Sequence, residues 1–162
     1  MILPEPETYT DKKRAQAMTA ALRILAYRPR SVNEIRLRLE KRFPHQAVQE
    51  VLERLQEISL LDDRAFAEFW RDNRERHRPR SASLIRRELR SFGITGELAE
   101  DAVRSVNDEK AAYRASKRFA FSARDSDFNI FRRKIAGRLY RRGFSSDIIH
   151  TTILHLWEGL KE

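Results

Sequence analysis

The stretch Ile135-Ala136-Gly137-Arg138-Leu139-Tyr140-Arg141-Arg142-Gly143-Phe144 decides the fold, because it is the third occurrence of one pattern. Fifty residues earlier the chain reads Ile85-Arg86-Arg87-Glu88-Leu89-Arg90-Ser91-Phe92-Gly93-Ile94, and fifty before that Ile35 stands four residues ahead of Leu39. Apolar residues four apart share one helical face. The glycine falls where a helix would end in a left-handed cap, and the apolar residue after it can fold back onto the core. In the first copy Arg42-Phe43-Pro44 lacks the glycine, so that turn is one residue shorter and Pro44 must help stop the helix.

After each turn comes a second apolar set: Val48, Val51, Leu52 and Leu55; Ala99, Ala102, Val103 and Val106; Ile149, Thr152, Ile153 and Leu156. The common spacing is the stripe of an amphipathic helix. Ser31 followed by Glu34 is a capping-box pattern, and Ser81, Thr95 and Ser145 stand at other helix starts. Further stripes supply a first helix to each copy: Met18, Leu22 and Leu25; Phe66, Phe69 and Trp70; Ala112, Tyr113, Ser116 and Phe119. The sequence therefore predicts an all-α chain of nine helices in three tandem three-helix repeats, over residues 11–60, 61–107 and 108–162, with residues 1–10 a flexible tail. A unit of about fifty residues is marginal alone, so the modules are expected to pack end to end into an elongated, curved, solenoid-like body.

The composition agrees. Five glycines and five prolines are too few for the turns of a β-sandwich or barrel, and no glycine-rich nucleotide loop is present. The absence of cysteine excludes disulfides, thiolate metal sites and thiol redox chemistry, and fits a reducing cytoplasm. No apolar run approaches the roughly 20 residues of a membrane span, and the start Met1-Ile2-Leu3-Pro4-Glu5-Pro6-Glu7 lacks a secretory pattern, so a cytoplasmic protein is expected. The net charge is +9, and 26 of the 33 basic side chains are arginine, a residue suited to bidentate contact with phosphate and carboxylate. An anionic partner is expected, either nucleic acid or an acidic protein face.

Catalytic chemistry finds little support. Asp62 and Asp63 are adjacent, but neighbours point about 100° apart on a helix and no third ligand stands at metal spacing, so both are assigned to capping the next helix. His45, His77, His150 and His155 form no ligand pair or triad. No catalytic residue, metal ligand or cofactor is expected.

The basic runs are more informative. Arg71, Arg74, Arg78 and Arg80, then Arg86, Arg87 and Arg90, belong to module two. Lys117, Arg118, Arg132, Arg133, Lys134, Arg138, Arg141 and Arg142 belong to module three. A single such helix is ordinarily a solvated face; clusters on successive modules can track a phosphate backbone or an acidic groove. Phe119, Phe121, Phe128, Phe131 and Tyr140 lie near these runs, where stacking on bases competes with burial in a core. A helix-turn-helix reading is weak: residues 145–157 are almost devoid of base-reading side chains, and the positive charge precedes them, which suits backbone contact better than sequence readout. Module one is expected to make a different contact.

The tandem repeats, the Leu61-Asp62-Asp63 junction with Phe66-Ala67 after it, the stretch Glu88-Leu89-Arg90-Ser91-Phe92-Gly93-Ile94 and the turn Arg141-Arg142-Gly143-Phe144-Ser145 together resemble the RecX regulatory proteins. The resemblance covers residues 17–158. Two departures are visible: Arg78-Pro79-Arg80-Ser81 replaces a glycine-containing linker, and Arg42-Phe43 lacks the glycine of the first turn. The resemblance implies a non-catalytic bacterial cytoplasmic protein that binds the RecA nucleoprotein filament and inhibits its ATPase, recombinase and strand-exchange activities, modulating recombination, DNA repair and the SOS response. The expected partners are the RecA filament and DNA, single- or double-stranded, bound weakly and without sequence preference; no membrane is expected, and the chain is taken as a monomer. The alternative from the residues alone is a non-sequence-specific protein acting directly on the DNA phosphate backbone.

Overall fold

The computed structural model describes residues 8–161. Among them the chain forms nine α-helices in three tandem sets of three: α1 (Tyr9–Leu25), α2 (Val32–Leu39) and α3 (His45–Glu57); α4 (Asp63–His77), α5 (Ala82–Ser91) and α6 (Gly96–Val103); α7 (Asp108–Ser122), α8 (Phe128–Tyr140) and α9 (Ser146–Gly159). Two compact units result. One holds the described chain up to Phe66 together with Phe92–Ile94, the other Ala67–Ser91 and the described chain from Thr95 onward.

In the first unit α1 packs on α2 and α3. Residues 1–7 of the expected tail lie outside the described residues, whereas Thr8 caps α1 in a capping box with Asp11, and Tyr9 and Thr10 are its first helical residues. The face that α1 buries is centred on Ala17 and Ala21, with Met18 and Leu25 partly covered, and Leu22 of the expected stripe is exposed. Alanine at the contact lets the helices approach closely, which rotates the larger side chains to the margin. Ile35, Leu39, Val48, Val51, Leu52 and Leu55 fill the core as their spacing requires. Pro44 occupies the N-cap position of α3 without a side-chain hydrogen bond, and Phe43 packs back on the core. Ser59 takes the left-handed conformation (φ 58°) after α3, and Leu60 N donates to Leu55 O at 2.9 Å. A serine here does what glycine does elsewhere, so nothing in the sequence marked it.

The two junction carboxylates divide their work. Asp62 accepts from Arg64 N at 2.9 Å and Ala65 N at 3.1 Å and caps α4 as expected. Asp63 instead accepts from Val32 N at 2.9 Å and caps α2. Within the first turn of α4 its side chain points away from that of Asp62 and reaches a different helix end. Burial raises the Asp63 pKa, opposed by the bond from Val32, with Asp62 raising it further and Arg36 lowering it. Ser31 closes the predicted capping box with Glu34, and its hydroxyl also donates to Phe92 O at 2.8 Å. Gly93 sits at φ +81° against Asn33, where an added Cβ would lie 2.7 Å from Asn33 Cβ.

The second unit repeats this arrangement fifty residues on. Ser81 N donates to Arg142 O at 3.1 Å, Ser81 Oγ accepts from Leu84 N at 3.1 Å, and Asp108 accepts from Ala82 N at 2.8 Å. Gly143, at φ +83°, leaves no room for a side chain: a Cβ would meet Ser81 Oγ at 2.6 Å and Leu84 Cβ at 2.7 Å. Phe144 N donates to Leu139 O at 3.3 Å, and the Phe144 ring is buried with Phe131, Ile135, Leu139, Ile149 and Ile153. Two expectations for α6 change. Thr95 is at its N-cap but accepts no side-chain hydrogen bond, and α6 stops at Val103, leaving Val106 beyond it. Asn107 claims the chain there by capping α7 through Lys110 N at 2.9 Å.

Candidate cationic interface

The fifteen basic residues singled out in the sequence divide by what they touch. In module two most are engaged. The Glu88 carboxylate collects three donors: Trp70 Nε1 at 2.8 Å and Arg74 Nε at 2.9 Å on Oε2, and the Arg80 guanidinium on Oε1. Trp70 and Arg74 are four apart on α4, so the Arg74 guanidinium also lies over the Trp70 ring, 4.3 Å from its centroid. Burial lowers the Arg74 pKa. Arg71 pairs with Asp72 at 2.8 Å and donates to Ala102 O at 3.2 Å, tying α4 to α6. Arg86 Nε lies 2.7 Å from Glu100 Oε1 and joins α5 to α6. Arg87 and Arg90 are exposed, with no carboxylate partner among the described residues.

A second group gathers where the α4–α5 linker meets the end of α8. The Arg142 guanidinium donates to Pro79 O at 3.0 Å while the Arg142 carbonyl accepts from Ser81, so Arg78 and Arg80 flank it on one side and Arg141 on the other. The field there is positive. Burial lowers the Arg80 pKa, followed by the charges of Arg74, Arg142 and Arg78; burial also lowers that of Arg142, followed by Arg138, Arg78 and Arg141. Arg138 is partly structural, since its Nε donates to Ala115 O at 2.9 Å and its guanidinium lies over Phe119.

Arg118, Arg132, Arg133 and Lys134 are exposed on α7 and α8 without carboxylate partners among the described residues, and Lys117 lies over the Tyr113 ring at 5.5 Å. The aromatic residues sort cleanly: Phe131 is fully buried and Phe119 and Phe128 pack on the core, while Phe121 and Tyr140 are exposed. Phe121 already carries the Arg124 guanidinium, 4.3 Å from its centroid.

Sequence reasoning missed Glu88, the counter-ion that organises module two; the signal available was Trp70 and Arg74 at i, i+4 beside an acid on the next helix. Among the described residues no group of three or more His, Cys, Asp or Glu could hold a metal ion, and no helix is long and apolar enough to cross a membrane.

Known proteins share this repeat. The descriptions "RecX, first three-helix domain", "RecX, second three-helix domain" and "RecX, third three-helix domain" match residues 17–55, 62–103 and 107–153 in turn. The Regulatory protein RecX of Prosthecochloris aestuarii is 32% identical over 146 residues, covering 89% of this chain and 95% of that protein. That of Chlorobium phaeobacteroides is 34% identical over 146 residues, covering 89% and 94%. The crystal structure of RecX from Lactobacillus salivarius has the same fold, with a TM-score of 0.76 over 90% of this chain and 97% of that one at 24% identity. With all three of its three-helix domains matched in order, the chain belongs to the RecX regulatory protein family.

Proposed function

We propose that the protein binds the RecA nucleoprotein filament in the cytoplasm and inhibits its ATPase, recombinase and strand-exchange activities, modulating recombination and DNA repair. Family membership supports the regulatory role, and the observation that carries the contact is the set Arg132, Arg133 and Lys134, exposed on α8 without carboxylate partners among the described residues. Cations held without counter-ions on a rigid helix present their charge to an anionic surface at little cost in reorganisation. The test is RecA ATPase and strand exchange with the Arg132→Glu, Arg133→Glu, Lys134→Glu variant, Arg138 being kept because it holds the Ala115 carbonyl. Inhibition should require about tenfold more variant than parent, as expected for loss of complementary charge. Inhibition at parental strength overturns this placement.

The arginines around Pro79 favour a second reading, direct binding to the DNA backbone by Arg78, Arg141 and Arg142. Naked-DNA binding would then weaken with salt at a log-log slope of about 0.7–0.9 per phosphate neutralised. Filament inhibition that persists at salt abolishing naked-DNA binding decides for the first reading.

A further inference from the structure

The repeat places Arg86 of α5 opposite Glu100 of α6, and fifty residues on it places Ala136 of α8 and His150 of α9 at the same two positions. In module two the pair spans the furrow between second and third helices at 2.7 Å. In module three no ion pair among the described residues spans it, and a groove of about 770 Å³ is open between α8 and α9. Its floor is Ala136, Gly137, Ile149 and Ile153, and Arg132 and Arg133 stand along one side. Its titratable lining groups are Arg132, Arg133, Tyr140 and His150, with no carboxylate among them. Tyr140, 77% exposed, extends the apolar surface.

We propose that the α8–α9 groove of module three is a docking site for an acidic amphipathic helix of a partner protein, its aliphatic stripe on the Ala136–Gly137–Ile153 floor and its carboxylates on Arg132 and Arg133. Small residues in the floor allow a guest helix to approach to the ordinary interaxial distance of about 8–10 Å. Helix-in-groove recognition uses this combination of aliphatic anchors and flanking charge. A single strand of nucleic acid fits less well, because the floor is aliphatic and the rings among the described lining residues, Tyr140 and His150, stand at its edge rather than forming a continuous stacking surface. The proposal deepens the filament reading by naming the chemistry of the protein surface that α8 meets.

The probe is a fluorescent synthetic peptide of about fifteen residues with leucines at helical spacing flanked by glutamates, titrated by anisotropy into the full chain. Arg132→Glu with Arg133→Glu should weaken it about tenfold, as should Ala136→Arg with His150→Glu, which rebuilds in module three the ion pair that closes the furrow in module two. Should the second variant unfold, shown by circular dichroism, the first, at exposed positions, carries the test alone. Undiminished binding by folded variants overturns the proposal, as does equal binding of the glutamine analogue or displacement of the peptide by oligo-dT at low concentration. RecA ATPase inhibition by the parent chain is measured in parallel. Inhibition with no peptide binding overturns the groove and leaves the filament reading standing. Peptide binding lost in the variants, with no inhibition by the parent, overturns the filament reading and supports the groove.

Discussion

Modules two and three share a register of fifty residues and a surplus of arginine, yet they use that arginine differently. In module two Arg71, Arg74, Arg80 and Arg86 are held by Asp72, Glu88 and Glu100. In module three Arg132, Arg133 and Lys134 occupy exposed positions of α8 with no such partners among the described residues. Similar sets of basic residues thus yield a cross-linked module and a presenting one. The difference lies in a few acids: Glu88 and Glu100 are matched at +50 by Arg138 and His150.

The comparison is broken most directly at Glu88. Glu88→Gln keeps the shape but removes the charge that Arg74 and Arg80 share and weakens the acceptor for Trp70 Nε1. All three ion-pair partners are mostly buried, the Glu88 side chain 14% exposed. Leaving these mostly buried guanidinium groups uncompensated should cost about 2–3 kcal/mol, read from the midpoint of urea unfolding. A cost below about 0.5 kcal/mol would place the pair among ordinary surface ion pairs and remove the distinction between the modules.

Arg138 is the exception within module three and sharpens the contrast from the other side. It stands at the position of Glu88, and in place of accepting arginines it donates to Ala115 O and covers Phe119. Arg138→Ala should cost about 1–2 kcal/mol in the same measurement, from the lost charged hydrogen bond and ring contact. Arg132→Ala should cost nothing measurable.

How much of this was legible in the sequence follows from which interactions are local. The helix pairs, the stripe Val48, Val51, Leu52 and Leu55, the Ser31–Glu34 box and the turns at Gly93 and Gly143 rest on spacings of seven residues or fewer, and each is present in the structure. Asp63 capping α2 spans 31 residues and Ser31 reaching Phe92 spans 61, so neither could be read from its neighbours. The same holds for the cations: Asp72 beside Arg71 is visible in the sequence, but the contact that ties Arg71 to α6, the Ala102 carbonyl, lies 31 residues away. Leu22 and Val106 were misplaced because a periodic pattern gives the direction of a face, not where a neighbour ends it.

The smallest expected effect is at Glu100, and it connects stability to the open groove. Arg86 and Glu100 are 2.7 Å apart, but the Glu100 side chain is 55% exposed, so water screens the pair and each side chain is ordered for little gain. Glu100→Gln should change stability by no more than about 0.5 kcal/mol, a difference that disappears as salt is raised. The pair would then close the furrow of module two by its bulk while adding little to folding, and a module can lose it without compensation elsewhere. Ala136 and His150 are that loss, carried at the same positions of module three. A large, salt-independent cost for Glu100→Gln would mean instead that the pair holds α5 to α6, and that α8 and α9 stay together for another reason: the buried contacts of Phe131, Ile135, Leu139, Ile149 and Ile153, where α5 and α6 keep Ile85 and Leu89 but carry the smaller Ala99 and Val103 in place of the two isoleucines of α9. Measuring Glu100→Gln beside Ile153→Ala separates these cases, since the cavity left by the latter costs about 2–5 kcal/mol whatever the ion pair contributes.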